Sequence, residues 1–211
     1  MSDYYKYPRT PHLPWSPGVQ SDDDVLDVAA HFQGRNIVVT EKLDGENTSM
    51  YPDHIHARSV SSKHHPSRSL VKALHAQIQH DIPEGWRICG ENVFAKHSIF
   101  YTHLTASFYV FAIYDEDNNC ISWDDTLQIC EVLNLLPAPV LYRGPWDEDR
   151  VKACWTGQSN FGTEQEGYVV RFDDQFRYED HAKCVAKYVR ANHVQTSTHW
   201  MQEEVVPNEV I

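Results

Sequence analysis

The chain has 211 residues, 41% of them hydrophobic and 12% aromatic, enough to bury a core and to exclude a mainly disordered state. Its net charge of −12 excludes a broad basic coat for nucleic acid, but not a local grip on a few phosphates. No apolar run reaches membrane-spanning length, and the start, MSDYYKYPRTPHLPWSPG, lacks the apolar stretch of a secretory signal. Cys89, Cys120, Cys130, Cys154 and Cys184 are dispersed without a C-x-x-C pair, so a reducing, cytoplasmic location is expected.

In chain order, four prolines in residues 1–20 predict an irregular segment that wraps the surface. A helix is expected over 22–32, with Val25, Leu26, Val28 and Ala29 inward. Strands follow at 36–40, 48–51 and 54–60, then the polar loop SSKHHPSR. Ser67 can cap a helix to about His80, with Leu70, Val71, Leu74 and Ile78 at helical spacing. Strands at 87–93, 108–114 and 120–123 precede a helix at 124–133. A short strand at 140–142, a helix at 147–154 and strands at 167–172 and 184–189 complete the pattern. Turn-linked strands with interspersed helices indicate an α+β fold of mainly antiparallel sheets. No linker divides the chain, so 1–211 reads as a single domain with an extension over 191–211. The pairs His54–His56 and His64–His65 lack Cys or Glu partners for a close metal set and read as polar surface.

The informative feature is charge inside strands. Lys42 ends NIVVTEK, Glu91 sits in RICGENV, Glu166 opens EGYVVR, and Lys187 sits in CVAKYVR. A buried lone charge costs several kcal/mol, so four such residues point either to a mutually neutralising network or to a cleft for an anion and a metal.

These segments resemble, in order, the motifs of the covalent nucleotidyltransferases, the polynucleotide ligases and capping enzymes. EKLDG matches K-x-D-G, GENVFAKHSI the third motif, FYVFAIYD the aromatic motif, EGYVVR the fourth and VAKYVR the fifth. Glu41 and the HSI run are similar to the RNA ligase 2-like branch of ATP-dependent RNA ligases. The resemblance covers about residues 36–190 and implies a nucleotidyltransferase (ATP-grasp-like ligase) fold with flanking helices. YPRTPHLPWSPG and ANHVQTSTHW look like further signatures of small bacterial and phage members.

The resemblance also implies roles. Lys42 would form a lysyl-AMP from ATP, which needs an amine whose pKa burial and a nearby cation lower. Glu41 would read the adenine amino group, and Arg58 would hold ribose or phosphate. Glu91 would accept from a ribose hydroxyl, Phe111 would stack on the base, and Gly45 and Asp44 would shape the loop. Glu166, with Glu91, would place Mg²⁺ or Mn²⁺, and Lys187 would stabilise the α-phosphate. His65, Arg68 and Arg190 are candidate RNA contacts, and His193, Gln195 and His199 form a further polar cluster. The expected activity joins RNA 5′-phosphate and 3′-hydroxyl ends, with room for an end-processing or RNA-binding partner protein. A DNA ligase, a capping-type enzyme and a non-catalytic nucleotide or RNA binder remain alternatives. The fifth motif departs from the family's K-x-K: Val185 and Val189 flank Lys187, leaving Lys183 or Arg190 to supply a second charge.

Overall fold

The computed structural model describes residues 4–191 and 205–211. Its first short helix, α1, spans Val28–His31 and is capped by Asp27, whose side chain accepts from the Ala30 amide. Strands β1 (Asn36–Lys42), β2 (Glu46–Met50) and β3 (Ile55–Ala57) follow, then helix α2 (Ser69–Ile78) between two 3₁₀ turns. Next come β4 (Arg87–Asn92), β5 (Phe108–Tyr114), β6 (Asn119–Cys120) and helix α3 (Trp123–Val132). The chain continues with β7 (Leu136–Pro137), β8 (Val140–Pro145), α4 (Glu148–Ala153), β9 (Gly167–Phe172), β10 (Phe176–Arg177), α5 (His181–Cys184) and β11 (Val185–Val189).

Two sheets result. One runs β11-β9-β1-β8 and the other β10-β6-β5-β4-β2-β3, with β7 added parallel to β5. Every pairing in the first sheet is antiparallel. The period of two along a strand decides what each face carries. In the first sheet Ile37, Val39, Tyr168, Val170 and Ala186 pack into one core with Leu13, Phe32 and Val151. The residues between them, Thr40, Lys42, Val169, Arg171, Val185 and Lys187, face a cleft instead. In the second sheet Met50, Ile88, Val110 and Ile113 pack on Val71, Ile78 and Cys130 of α2 and α3. Glu91, Phe111 and Ala112 turn to the same cleft. The inward charges of the sequence are therefore cleft residues carried by facing sheets.

Three expectations are corrected. Residues 24–26 are not helical: His12 donates to the Asp24 carbonyl, and the Leu26 amide donates to that of His12. This backbone pairing displaces the first turns of the expected helix, so Val25 is 52% exposed while Leu26 and Val28 are buried; the Ala29 side chain lies outside the described residues. Leu70 is likewise exposed at the start of α2. Residues 4–20 form no helix or named strand, but 11–13 are built into the fold rather than laid over its surface. Lys187 donates to the Pro11 carbonyl and Leu13 to that of Lys187, at 2.9 and 2.8 Å, making 11–13 a parallel mate of the β11 edge. Proline lacks an N–H, but an edge partner needs only alternate groups, and Pro11 offers its carbonyl. The histidines also differ: His12, His56, His75 and His181 are buried.

Candidate active site

The cleft between the sheets has a volume of about 710 Å³. Lys42 enters it from the last position of β1, where the strand fixes its direction. Its Nζ lies 2.5 Å from Oε1 of Glu166, which is 1% exposed. Two glycines allow this closeness. A Cβ on Gly45 would overlap the Asn92 carbonyl oxygen, and one on Gly167 would overlap that of Tyr188. The first seats the loop after Lys42 against β4; the second lets β9 and β11 bring Glu166 and Lys187 to the same end. The Gly45 amide donates to Glu91 Oε1 at 3.1 Å.

Asp44 turns away from the cleft centre. Its Oδ2 accepts from Ser98 N, Ser98 Oγ and Ile99 N at 2.8, 2.7 and 2.7 Å, and its own amide donates to Tyr101 Oη at 2.8 Å. It ties the loop after Lys42 to the 93–104 segment, leaving that carboxylate oxygen saturated. Glu41 is held by Asn160, whose amide N and Nδ2 donate to Oε2 at 3.0 and 2.6 Å. Its Oε1 is buried in the cleft wall without a hydrogen-bond partner among the described residues. A buried unsatisfied acceptor is costly, and a ligand donor would satisfy it.

Burial sets the electrostatics. It raises the Glu91 carboxyl to about 8, against the pull of Lys42, and Glu166 to about 7. Burial also pulls the Lys42 ammonium down, but Glu166 and Glu91 outweigh it, and its pKa is raised. This corrects the expectation of a depressed lysine: in the ligand-free cleft the carboxylates hold the proton on Lys42. Lys187 is depressed, first by burial and then by the charge of Lys42. Between about pH 4.5 and 8 the folded chain keeps protons on Glu91 and Glu166 that the unfolded chain has released, so the contribution of these two groups to stability falls as pH rises through that window. Below about pH 6.5 His12, His56, His97 and His181, all depressed by burial, act in the opposite sense, so the melting temperature of the ligand-free protein should drop only from about pH 7 to 8, and Glu91→Gln should flatten that drop. A melting temperature that rises over this range would contradict the assignment.

The other expected residues divide. Arg58 and Phe111 line the cleft, Arg58 exposed at its mouth. His65 lines it too, but its Nδ1 accepts from the Ser67 amide and caps the turn before α2. Arg68 is 9% exposed and committed: Nε donates to Glu46 Oε1 at 2.6 Å, Nη2 to Glu46 Oε2, and Nη1 to the Lys63 carbonyl. Arg190 points away and pairs with Glu164 at 2.9 Å, and Lys183 pairs with Asp180. Neither supplies a second lysine-like charge to the cleft. His193, Gln195 and His199 lie outside the described residues.

Residues not anticipated also build the site. Tyr7, Pro8 and Thr10 form part of the cleft wall, with the Tyr7 ring edge-on to Phe111 at 5.0 Å. Asn160 joins them through Glu41, and His97, the first residue of the HSI run, lines the cleft as well. The YPRT run was a visible signal for the first three; nothing local marked Asn160. Among the described residues no group of three or more His, Cys, Asp and Glu could hold a metal. Glu91 and Glu166 offer two carboxylates, which suits a cation that is completed by substrate phosphates and water.

Two mainly antiparallel sheets enclosing a lysine–carboxylate cleft, with the lysine at a strand end, match a nucleotidyltransferase fold. The RNA ligase family model matches residues 35–189, and the chain belongs to that family. Among solved structures, a Naegleria gruberi RNA ligase with PPi is similar at 18% identity and a TM-score of 0.55, covering 86% of this chain and 60% of that one. A mutant of that ligase with ATP and Mn gives 20% and 0.54, covering 75% and 51%. An archaeal ATP-dependent RNA ligase gives 15% and 0.55, covering 85% and 48%. The chain thus spans about half to three-fifths of the length of these structures. No curated protein sequence matches it. No helix among the described residues is long and apolar enough to cross a membrane.

Proposed function

We propose that the chain is an ATP-dependent RNA ligase whose adenylyltransferase unit works through a Lys42 adenylate. The observation that carries this reading is the Lys42–Glu166 pair at 2.5 Å in a cleft bordered by Glu91, Phe111 and Lys187. Lys42 Nζ would attack the α-phosphorus of ATP; the N–P bond forms as the bond to pyrophosphate breaks. The amine must first lose its proton. Glu166 is the neighbour placed to take it, and a carboxyl raised to about 7 is a base matched to neutral pH. Lys187 would meet the charge that develops on the α-phosphate. Bound Mg²⁺ or Mn²⁺, held at Glu166 and Glu91, would neutralise the triphosphate. The free Oε1 of Glu41 would accept from the adenine amino group, and Phe111 would stack on the base beside Tyr7. AMP then passes to an RNA 5′-phosphate, freeing the Lys42 amine, and a 3′-hydroxyl attacks that phosphate to expel AMP.

With Arg68 and Arg190 committed elsewhere, RNA contacts shift to Arg58 and Lys63, which line the cleft, and to Lys72, whose Nζ lies 3.3 Å from Nδ1 of the cleft-lining His64. No ion pair among the described residues engages these three, although the chain is strongly acidic. A few phosphate contacts give a shallow salt dependence, a slope of about 0.7 per contact on single strands. Rising salt should suppress sealing of nicked RNA well before self-adenylation, and Lys63→Ala with Lys72→Ala should reduce the slope by about 1.4. Equal salt loss in both half-reactions would contradict this, and sealing of nicked DNA but not RNA would favour a DNA ligase. A partner protein that prepares or presents RNA ends would fit so local a grip.

A further inference from the structure

The segment 93–104, between β4 and β5, forms no helix or ladder strand, so its backbone groups need partners from elsewhere. Residues 205–211 supply them. Lys96 donates to Val206 O, Asn208 to Phe94 O, Glu209 to Tyr101 O, Leu104 to Glu209 O and Ile211 to Leu104 O, at 2.8–3.1 Å. Asn208 is the buried member, 6% exposed. Its Oδ1 accepts from Tyr101 N at 2.9 Å and its Nδ2 donates to Val93 O at 2.8 Å. Val206, Val210 and Ile211 are 50%, 51% and 78% exposed. The tail is therefore held by backbone pairing and one amide rather than by apolar burial.

The clipped segment is the one that grips the nucleophile loop. Ser98, Ile99 and Tyr101 provide the four hydrogen bonds to Asp44, two residues after Lys42. Leu43, between the two, packs on Val93, Ile99, Tyr101 and Leu104. We infer that residues 205–211 are a positioning clip for the nucleophile, with Asn208 as its anchor, acting through Tyr101 and Asp44 to fix where Lys42 points. The inference rests on the ligase reading for its rate effect, but not for its structural one.

The test uses Asn208→Ala and Tyr101→Phe in the full chain, singly and together. Tyr101→Phe removes only the hydroxyl that accepts from the Asp44 amide. Each should slow Lys42 adenylation at saturating ATP by about ten-fold or more with little change in ATP affinity, because a displaced nucleophile costs rate rather than binding. The double variant should be no slower than the slower single one, since both act through one contact. Hydrogen exchange at the Asp44 amide should be faster in Asn208→Ala than in wild type. Additive rate losses, an unchanged rate or unchanged exchange would overturn the clip. If Asn208→Ala does not fold, Asn208→Asp replaces it: it keeps the acceptor for Tyr101 N, loses the donor to Val93 O, and should still speed exchange at Asp44. Slow exchange there would also overturn the clip. A wild type that forms no adenylate would refute the ligase reading, and exchange alone would then decide the clip.

Discussion

Lys42→Ala should reduce ATP-driven sealing to background, a loss on the order of 10⁴-fold or more, because the proposed reaction then lacks the amine that takes AMP from ATP. The same variant should still seal RNA that already carries a 5′-adenylate. In that step the 3′-hydroxyl attacks phosphorus and AMP leaves, and the Lys42 amine forms no bond. The substitution also removes the cation that faces Glu166 and Glu91, so those carboxyls should hold protons more tightly and the fold should tolerate the change. Paired assays with ATP plus 5′-phosphate RNA and with pre-adenylated RNA separate the two halves. Equal loss in both would mean that Lys42 supports the fold or the RNA site instead.

Arg68→Ala should cost about 3–5 kcal/mol of stability, since it leaves Glu46 as a buried carboxylate with no cation. For a chain of this size that corresponds to a fall in melting temperature of about 6–20 °C. The sequence points instead to an RNA contact, with an effect confined to sealing. Glu46→Gln added to Arg68→Ala should recover part of the loss, because the stranded charge is then gone. Thermal melts of the two singles and the double decide the matter. A melting temperature within two or three degrees of wild type (about 1 kcal/mol), together with weak sealing, would restore the RNA role.

The contrast at Arg68 shows where local reading stops. The motif residues on β1, β4, β9 and β11 were legible because strand alternation is a short-range rule, and a charge that breaks it must face either solvent or a cleft. Lys42, Glu91, Glu166 and Lys187 all face the cleft. Side-chain partners set by tertiary contact left no such trace. Glu46 lies 22 residues before Arg68 on another element, and Asn160 reaches Glu41 across 119. The prolines near the start read as loop because local propensity cannot register an open sheet edge at β11. The tail over 205–211 carries no periodic pattern, since backbone pairing with one buried amide needs none. Its link to the loop after Lys42 appears only when Asn208, Tyr101 and Asp44 are seen in contact.

The most direct measurement of the central claim is the intact mass of the purified chain after incubation with ATP and Mg²⁺, followed by peptide mapping. The mass should increase by one adenylyl group, the added group should map to Lys42, and pyrophosphate should reverse it. An unchanged mass, or an adduct on a peptide without Lys42, would contradict the account.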